Sequence, residues 1–115
     1  MTTRRSVICE PWTIVVVPFP FSEQPGSKRR PALVLSRRAF NSGGHTVLAM
    51  ITTRAHRAWP GDSEIQSLES AGLPLPCIVR LKIFTLDNRL LMRKIGVLAP
   101  ADQRCVSGAL KSHLA

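Results

Sequence analysis

The chain has 115 residues, 16 of them Lys or Arg against 7 Asp or Glu, for a net charge of +9. Hydrophobic residues make up 44%, which excludes a disordered chain and suits one domain with a modest core. No apolar run approaches the roughly 20 residues of a membrane-spanning helix, and Cys9, Cys77 and Cys105 stand too far apart for a zinc or iron–sulfur site.

Taken along the chain, residues 1–11 read as a tail without the apolar run of a signal peptide, and 12–115 as one domain. Residues 12–19, WTIVVVPF, form a first strand apolar enough to be buried on both faces. Pro18 and Pro20 remove backbone donors, so the end of this strand belongs at an edge or bulge. Residues 22–29 form a polar loop containing the turn pair Pro25-Gly26 and ending in cations. Residues 30–36 are a second strand, Asn41 to Gly44 a turn, and 45–53 a third strand. The stretch 54–59 is ambiguous. Pro60-Gly61-Asp62 signals a turn, 63–66 a short strand, and 67–72 a helical turn stopped at Gly72.

Pro74 and Pro76 keep the following loop extended. Residues 77–84 alternate Ile78, Leu81 and Ile83 with Arg80 and Lys82, imperfectly because Val79 is also apolar. Asp87 and Asn88 make a turn before a strand over 90–97. Residues 100–114 are the one clear helix, with Pro100 in its first turn and Val106, Ala109, Leu110, His113 and Leu114 on one face. That face is expected to cross a barrel mouth or meet a partner. Five or six short antiparallel strands with a terminal helix make a small barrel or sandwich.

The charge excess points to a polyanion, nucleic acid before a membrane surface, since no basic amphipathic helix is visible. A soluble protein that is merely basic is the plainer alternative. Cations cluster at Lys28–Arg29–Arg30, Arg37–Arg38 and Arg54–Arg57; if these line one groove, they form a track for a single-stranded backbone. An odd cysteine count fits the cytoplasm.

Arg30 opens the second strand and Thr52 closes the third. If the two strands pair as a hairpin, both lie at one end of the sheet. A guanidinium suits binding of phosphate and of the charge that develops on it, and a hydroxyl supplies a second hydrogen bond. In RNA the 2′-OH is an internal nucleophile beside its phosphorus, so orientation and electrostatics suffice. The same residue types also fit a surface arginine paired with a carboxylate and a threonine on a solvated face.

Other candidates carry a weaker signal. His45, His56 and His113 lack metal spacing; His56, among Arg54 and Arg57, could touch phosphate. Trp12 suits core packing, and Trp59, in a polar loop, suits base stacking as well. Glu23 reads as a solvated charge. Arg80 reaches a groove or forms a salt bridge.

The pieces VVVPFPF, KRRPALVLS, MITT, WPGDSEI, AGLPLPCIVR, FTLD and LLMRKIG, in this order over residues 12–97, resemble the MazF/PemK toxins of bacterial toxin–antitoxin pairs, in their PemK-like branch. The resemblance implies a mainly β fold, a small SH3-like antiparallel barrel of MazF/PemK/CcdB type with a C-terminal helix. It implies a homodimer that cleaves single-stranded RNA with no metal or other cofactor, and an acidic cognate antitoxin. It places the catalytic arginine on Arg30 and the catalytic threonine on Thr52, and a mobile substrate loop over 22–29 with Ser27 beside the site. Ser27, Lys28, Arg29, Thr53, Arg54, His56 and Arg80 are then the expected RNA contacts. Trp12-Thr13, where many members have Gly-Asp, and Cys77, in place of Ser, depart from the pattern. A non-catalytic module on the same barrel, binding nucleic acid or protein as gyrase poisons do, is the competing reading.

Overall fold

The computed structural model describes residues 7–19, 28–53 and 57–114. Ser27, Arg54 and His56, with Pro20 and Glu23, lie outside the described residues. Six antiparallel strands form one sheet: β1 (Thr13–Phe19), β2 (Lys28–Val34), β3 (His45–Thr53), β4 (Ser63–Glu64), β5 (Cys77–Asp87) and β6 (Arg93–Val97), in the order β4-β5-β3-β2-β1-β6. The sheet curls into a half-barrel, as the expected fold class has it, with a C-terminal helix. Three α-helices, α1 (Arg38–Asn41), α2 (Leu68–Ala71) and α3 (Pro100–His113), and one 3₁₀ turn (Asn88–Leu90) complete the described chain.

β1 is apolar after Thr13 because both of its faces are covered. Ile14 joins one core, with Leu33, Ala49, Ile51, Val79, Leu98 and Val106. Val15 and Val17 join another on the opposite face, with Ala32, Val34, Leu48, Leu86 and Leu91. Trp12 falls outside the strand at φ 72°, although residues 12–19 read as one run, and it packs against the first core. Pairing of β1 with β6 ends at Val16↔Arg93, so Pro18 sits where β1 has only β2 beside it. Its missing N–H therefore breaks no ladder, as the sequence required.

β2 begins two residues earlier than expected, taking Lys28 and Arg29 out of the loop, and ends at Val34. β3 spans the expected residues. β5 extends beyond 84 to Asp87 and carries a bulge where the register shifts between Ala49 and Met50 of β3. Of the stretch read as a tail, Cys9 is fully buried in the second core, and its carbonyl accepts from Asn41 Nδ2 at 2.9 Å.

α2 stops at Gly72, left-handed at φ 72°. It packs against β6 closely enough that a Cβ on Gly72 would lie 1.9 Å from the Ile95 carbonyl oxygen. Ser70 Oγ donates to the Val97 carbonyl at 2.7 Å. Since α2 follows β4 and touches β6, it fills the seam between the two edges of the curled sheet.

α3 buries Val106, but Leu114, expected on the same covered face, is 56% exposed. The residue that anchors the helix is Asp102, buried, whose carboxylate accepts from the backbone N–H of Gln66 and Ser67 at 3.0 Å each. A carboxylate in the first helical turn also meets the positive end of the helix dipole.

Candidate nucleic-acid interface

The β2–β3 ladder runs from Val34↔Leu48 to Ala32↔Met50. One alternation further in that register stand Arg30 and Thr52, so the two share a face and an end of the sheet. Both are half-buried. β1 supplies the other flank. Arg30 pairs with Val17, and the Phe19 ring lies diagonally beyond, with the Arg30 guanidinium carbon 5.9 Å from its centroid. An aromatic face orients a guanidinium without neutralising it. No carboxylate pairs with Arg30 among the described residues. Phe19 was not singled out from the sequence. The hairpin register reveals it, because a diagonal neighbour across a strand pair lies within reach of a long side chain.

The expected RNA contacts divide between two faces, because successive strand residues point opposite ways. Lys28 falls on the face of Arg30; Arg29 and Thr53 fall on the other. Arg37 and Arg38 follow the far end of β2, about 20 Å from Lys28 at the rise of an extended strand. Arg38 there bonds Glu10 at 3.3 Å. Lys28–Arg30 and Arg37–Arg38 therefore stand toward opposite ends of β2, and Arg54 of the third cluster lies outside the described residues.

Arg80 is ion-paired. Its Nε and Nη2 donate to the two oxygens of Asp62 at 3.2 and 3.0 Å, and Nη2 also donates to the Arg57 carbonyl at 2.9 Å. Both side chains of the pair are 14% exposed. The guanidinium stacks 5.2 Å from the Trp59 centroid, Lys82 lies 5.8 Å from the same ring, and Asp62 accepts from Trp59 N–H at 2.9 Å. Arg80 thus fastens the 57–62 loop to β5, and Trp59, 40% exposed, stands on that support.

Burial by itself would raise the Asp62 carboxyl. The Arg80 hydrogen bond, the Trp59 donor and the Arg80 charge outweigh it and hold the pKa below the ordinary carboxylate value. A depressed folded pKa contributes stability that is present above the unfolded value near 4 and disappears as pH falls through the folded one. Asp62→Asn is therefore expected to destabilise the protein by about 2 kcal/mol at pH 7, and by much less near pH 2. Thermal unfolding of both proteins across this range measures it; an equal gap at both pH values would mean that the charge of Asp62 is idle.

His45 lies at the opposite end of β3 from Thr52, and the His113 ring lies beside Gly61 of the 57–62 loop. Among the described residues no three His, Cys, Asp or Glu side chains are gathered to hold a metal ion, and no helix is long and apolar enough to cross a membrane.

The family model for PemK-like, MazF-like toxins of type II toxin–antitoxin systems matches residues 10–114. Similar solved structures include a chain of a MazE–MazF complex (Form-III) from Deinococcus radiodurans, 24% identical with a TM-score of 0.74, the match covering 94% of this chain and 97% of that one. MazF (Form-I) from the same organism is 26% identical, with a TM-score of 0.70 over 94% and 97%. An endoribonuclease in complex with its cognate antitoxin, from a mycobacterial species, is 22% identical, with a TM-score of 0.72 over 92% and 94%. No curated protein matches.

Proposed function

We propose that this chain, which belongs to the PemK-like, MazF-like toxin family of type II toxin–antitoxin systems, is an endoribonuclease toxin that cuts single-stranded RNA in the cytoplasm without a metal ion and so stops translation and growth. The observation that carries this reading is Arg30: a guanidinium held by a ring, with no counter-ion among the described residues, on the face and at the end of the sheet that Thr52 shares. The RNA would supply its own nucleophile. Attack of the 2′-oxygen on the adjacent phosphorus forms the new P–O bond and breaks the bond to the 5′-oxygen. The 2′-proton leaves to a base and the departing oxygen gains one. Arg30 and the Thr52 hydroxyl would hold the non-bridging oxygens as charge builds on them. The net charge of +9 and the antitoxin-bound structural relative support inhibition by an acidic antitoxin; the toxin would act as a homodimer, as the family resemblance implies.

The products test the chemistry. Cleavage is expected to persist in EDTA and to leave a 2′,3′-cyclic phosphate, or the 3′-phosphate it hydrolyses to, with a free 5′-OH. End-mapping of a long RNA reads both ends. Magnesium-dependent cuts that leave 5′-phosphates would refute the mechanism.

A further inference from the structure

β1 lies between β2 and β6, and across the three strands Pro31, Val16 and Arg93 stand in one row. Arg29 is two residues from Pro31 on β2 and so points to the same side. This is the side opposite Arg30 and Thr52. There Arg29 and Arg93 line a groove of about 270 Å³, floored by Val16 and Pro31 and walled by Leu73 and Pro74 beyond the α2 cap; Arg30, between Arg29 and Pro31 on β2, also borders it. No acidic residue lines it, and neither the Arg29 nor the Arg93 guanidinium has a hydrogen bond or ion pair among the described residues. Two unneutralised guanidiniums facing one cleft repel each other, and an anion between them removes that repulsion.

We propose that Arg29 and Arg93 hold a backbone phosphate of the RNA, next to the one that Arg30 engages. Arg29 and Arg30 are chain neighbours pointing to opposite faces at the rim of the sheet. A single strand crossing this rim meets Arg30 on one side and the Arg29–Arg93 groove on the other. The apolar floor leaves room for sugar and base edges, while the two planar forks take the phosphate oxygens. Such a contact orders the register of the strand and carries no base information. The inference rests on the RNA-cutting reading for the identity of the ligand.

The probe is a set of short, fully 2′-O-methylated RNAs, which bind without being cut, each with one phosphate replaced by a neutral methylphosphonate. Binding is followed by fluorescence anisotropy at several salt concentrations. For the unaltered protein, one neutral linkage is expected to weaken binding roughly five- to tenfold. Arg93→Ala should weaken binding of the fully charged RNA by a similar factor, lower the slope of log K against log salt by about one, and become indifferent to that same linkage. Arg93→Gln, which keeps the side-chain bulk on β6, should behave alike. The result that overturns the proposal is an Arg93 variant with unchanged affinity and salt slope, or a parent protein that binds none of the RNAs. It is equally overturned if Arg93→Ala spares RNA and weakens only an acidic peptide partner, which would make the groove the partner's. If the parent protein binds with this pattern but cuts no natural RNA, the groove stands and the endoribonuclease reading falls.

Discussion

Arg30→Ala is expected to lower the single-turnover rate of RNA cleavage by on the order of a hundredfold or more, while changing RNA affinity only a few-fold. The split follows from where the guanidinium acts. As one cation in a chain of net charge +9, it supplies a small share of the attraction to a polyanion. At the phosphorus it meets charge that grows only in the transition state, where one well-placed donor is worth roughly 3–4 kcal/mol. Thr52→Ala should act in the same direction with a smaller loss, since a neutral hydroxyl gives the weaker bond. Arg30→Lys should recover part of the rate at most, because an ammonium lacks the planar fork and stacks less well on Phe19. Rapid-quench cleavage beside anisotropy binding separates the two quantities. A near-normal rate for Arg30→Ala would move the site elsewhere.

Gly72→Ala is expected to cost about 3–4 kcal/mol of stability and to lower the melting temperature on the order of 15 °C. The left-handed backbone at φ 72° accounts for about 1 kcal/mol. The rest is steric: the new Cβ would lie 1.9 Å from the Ile95 carbonyl oxygen and 2.7 Å from its carbon, and neither backbone atom can turn away. α2 must then lift from β6, opening the seam and exposing Ala71 and Leu73, both buried in the first core. Gly96→Ala should do the same from the other side, since its Cβ would meet the Ala71 carbonyl at 2.3 Å. Gly108→Ala is the control: its added Cβ would meet nothing within 4 Å beyond its own helix, and in a helix interior alanine should add up to about 1 kcal/mol. Melting of the three variants decides the matter. A Gly72→Ala protein as stable as its parent would mean that α2 does not close the sheet.

The sequence by itself determined what depends on neighbours along the chain. The apolar run of β1 marks a strand with both faces covered, Gly72 marks a helix stop, and the short connection between β2 and β3 brings the ends carrying Arg30 and Thr52 to one side. Each rests on periodicity, φ preference or a hairpin register, and each is local. Tertiary structure alone decided the rest. β6 pairs with β1 across some eighty residues of chain, and only that pairing carries Arg93 to Arg29. The bulge in the β3–β5 pairing changes the register beside Arg80, and a turn eighteen residues upstream delivers Asp62 to it. The sequence left Arg80 between a groove contact and a salt bridge, and the fold pairs it with Asp62. Nothing in the sequence singled out Asp102, yet it closes two backbone donors of a distant loop. Hydrophobic pattern tells which face of an element is buried; which charges meet depends on contacts between strands far apart in the chain, and those leave no period in the sequence.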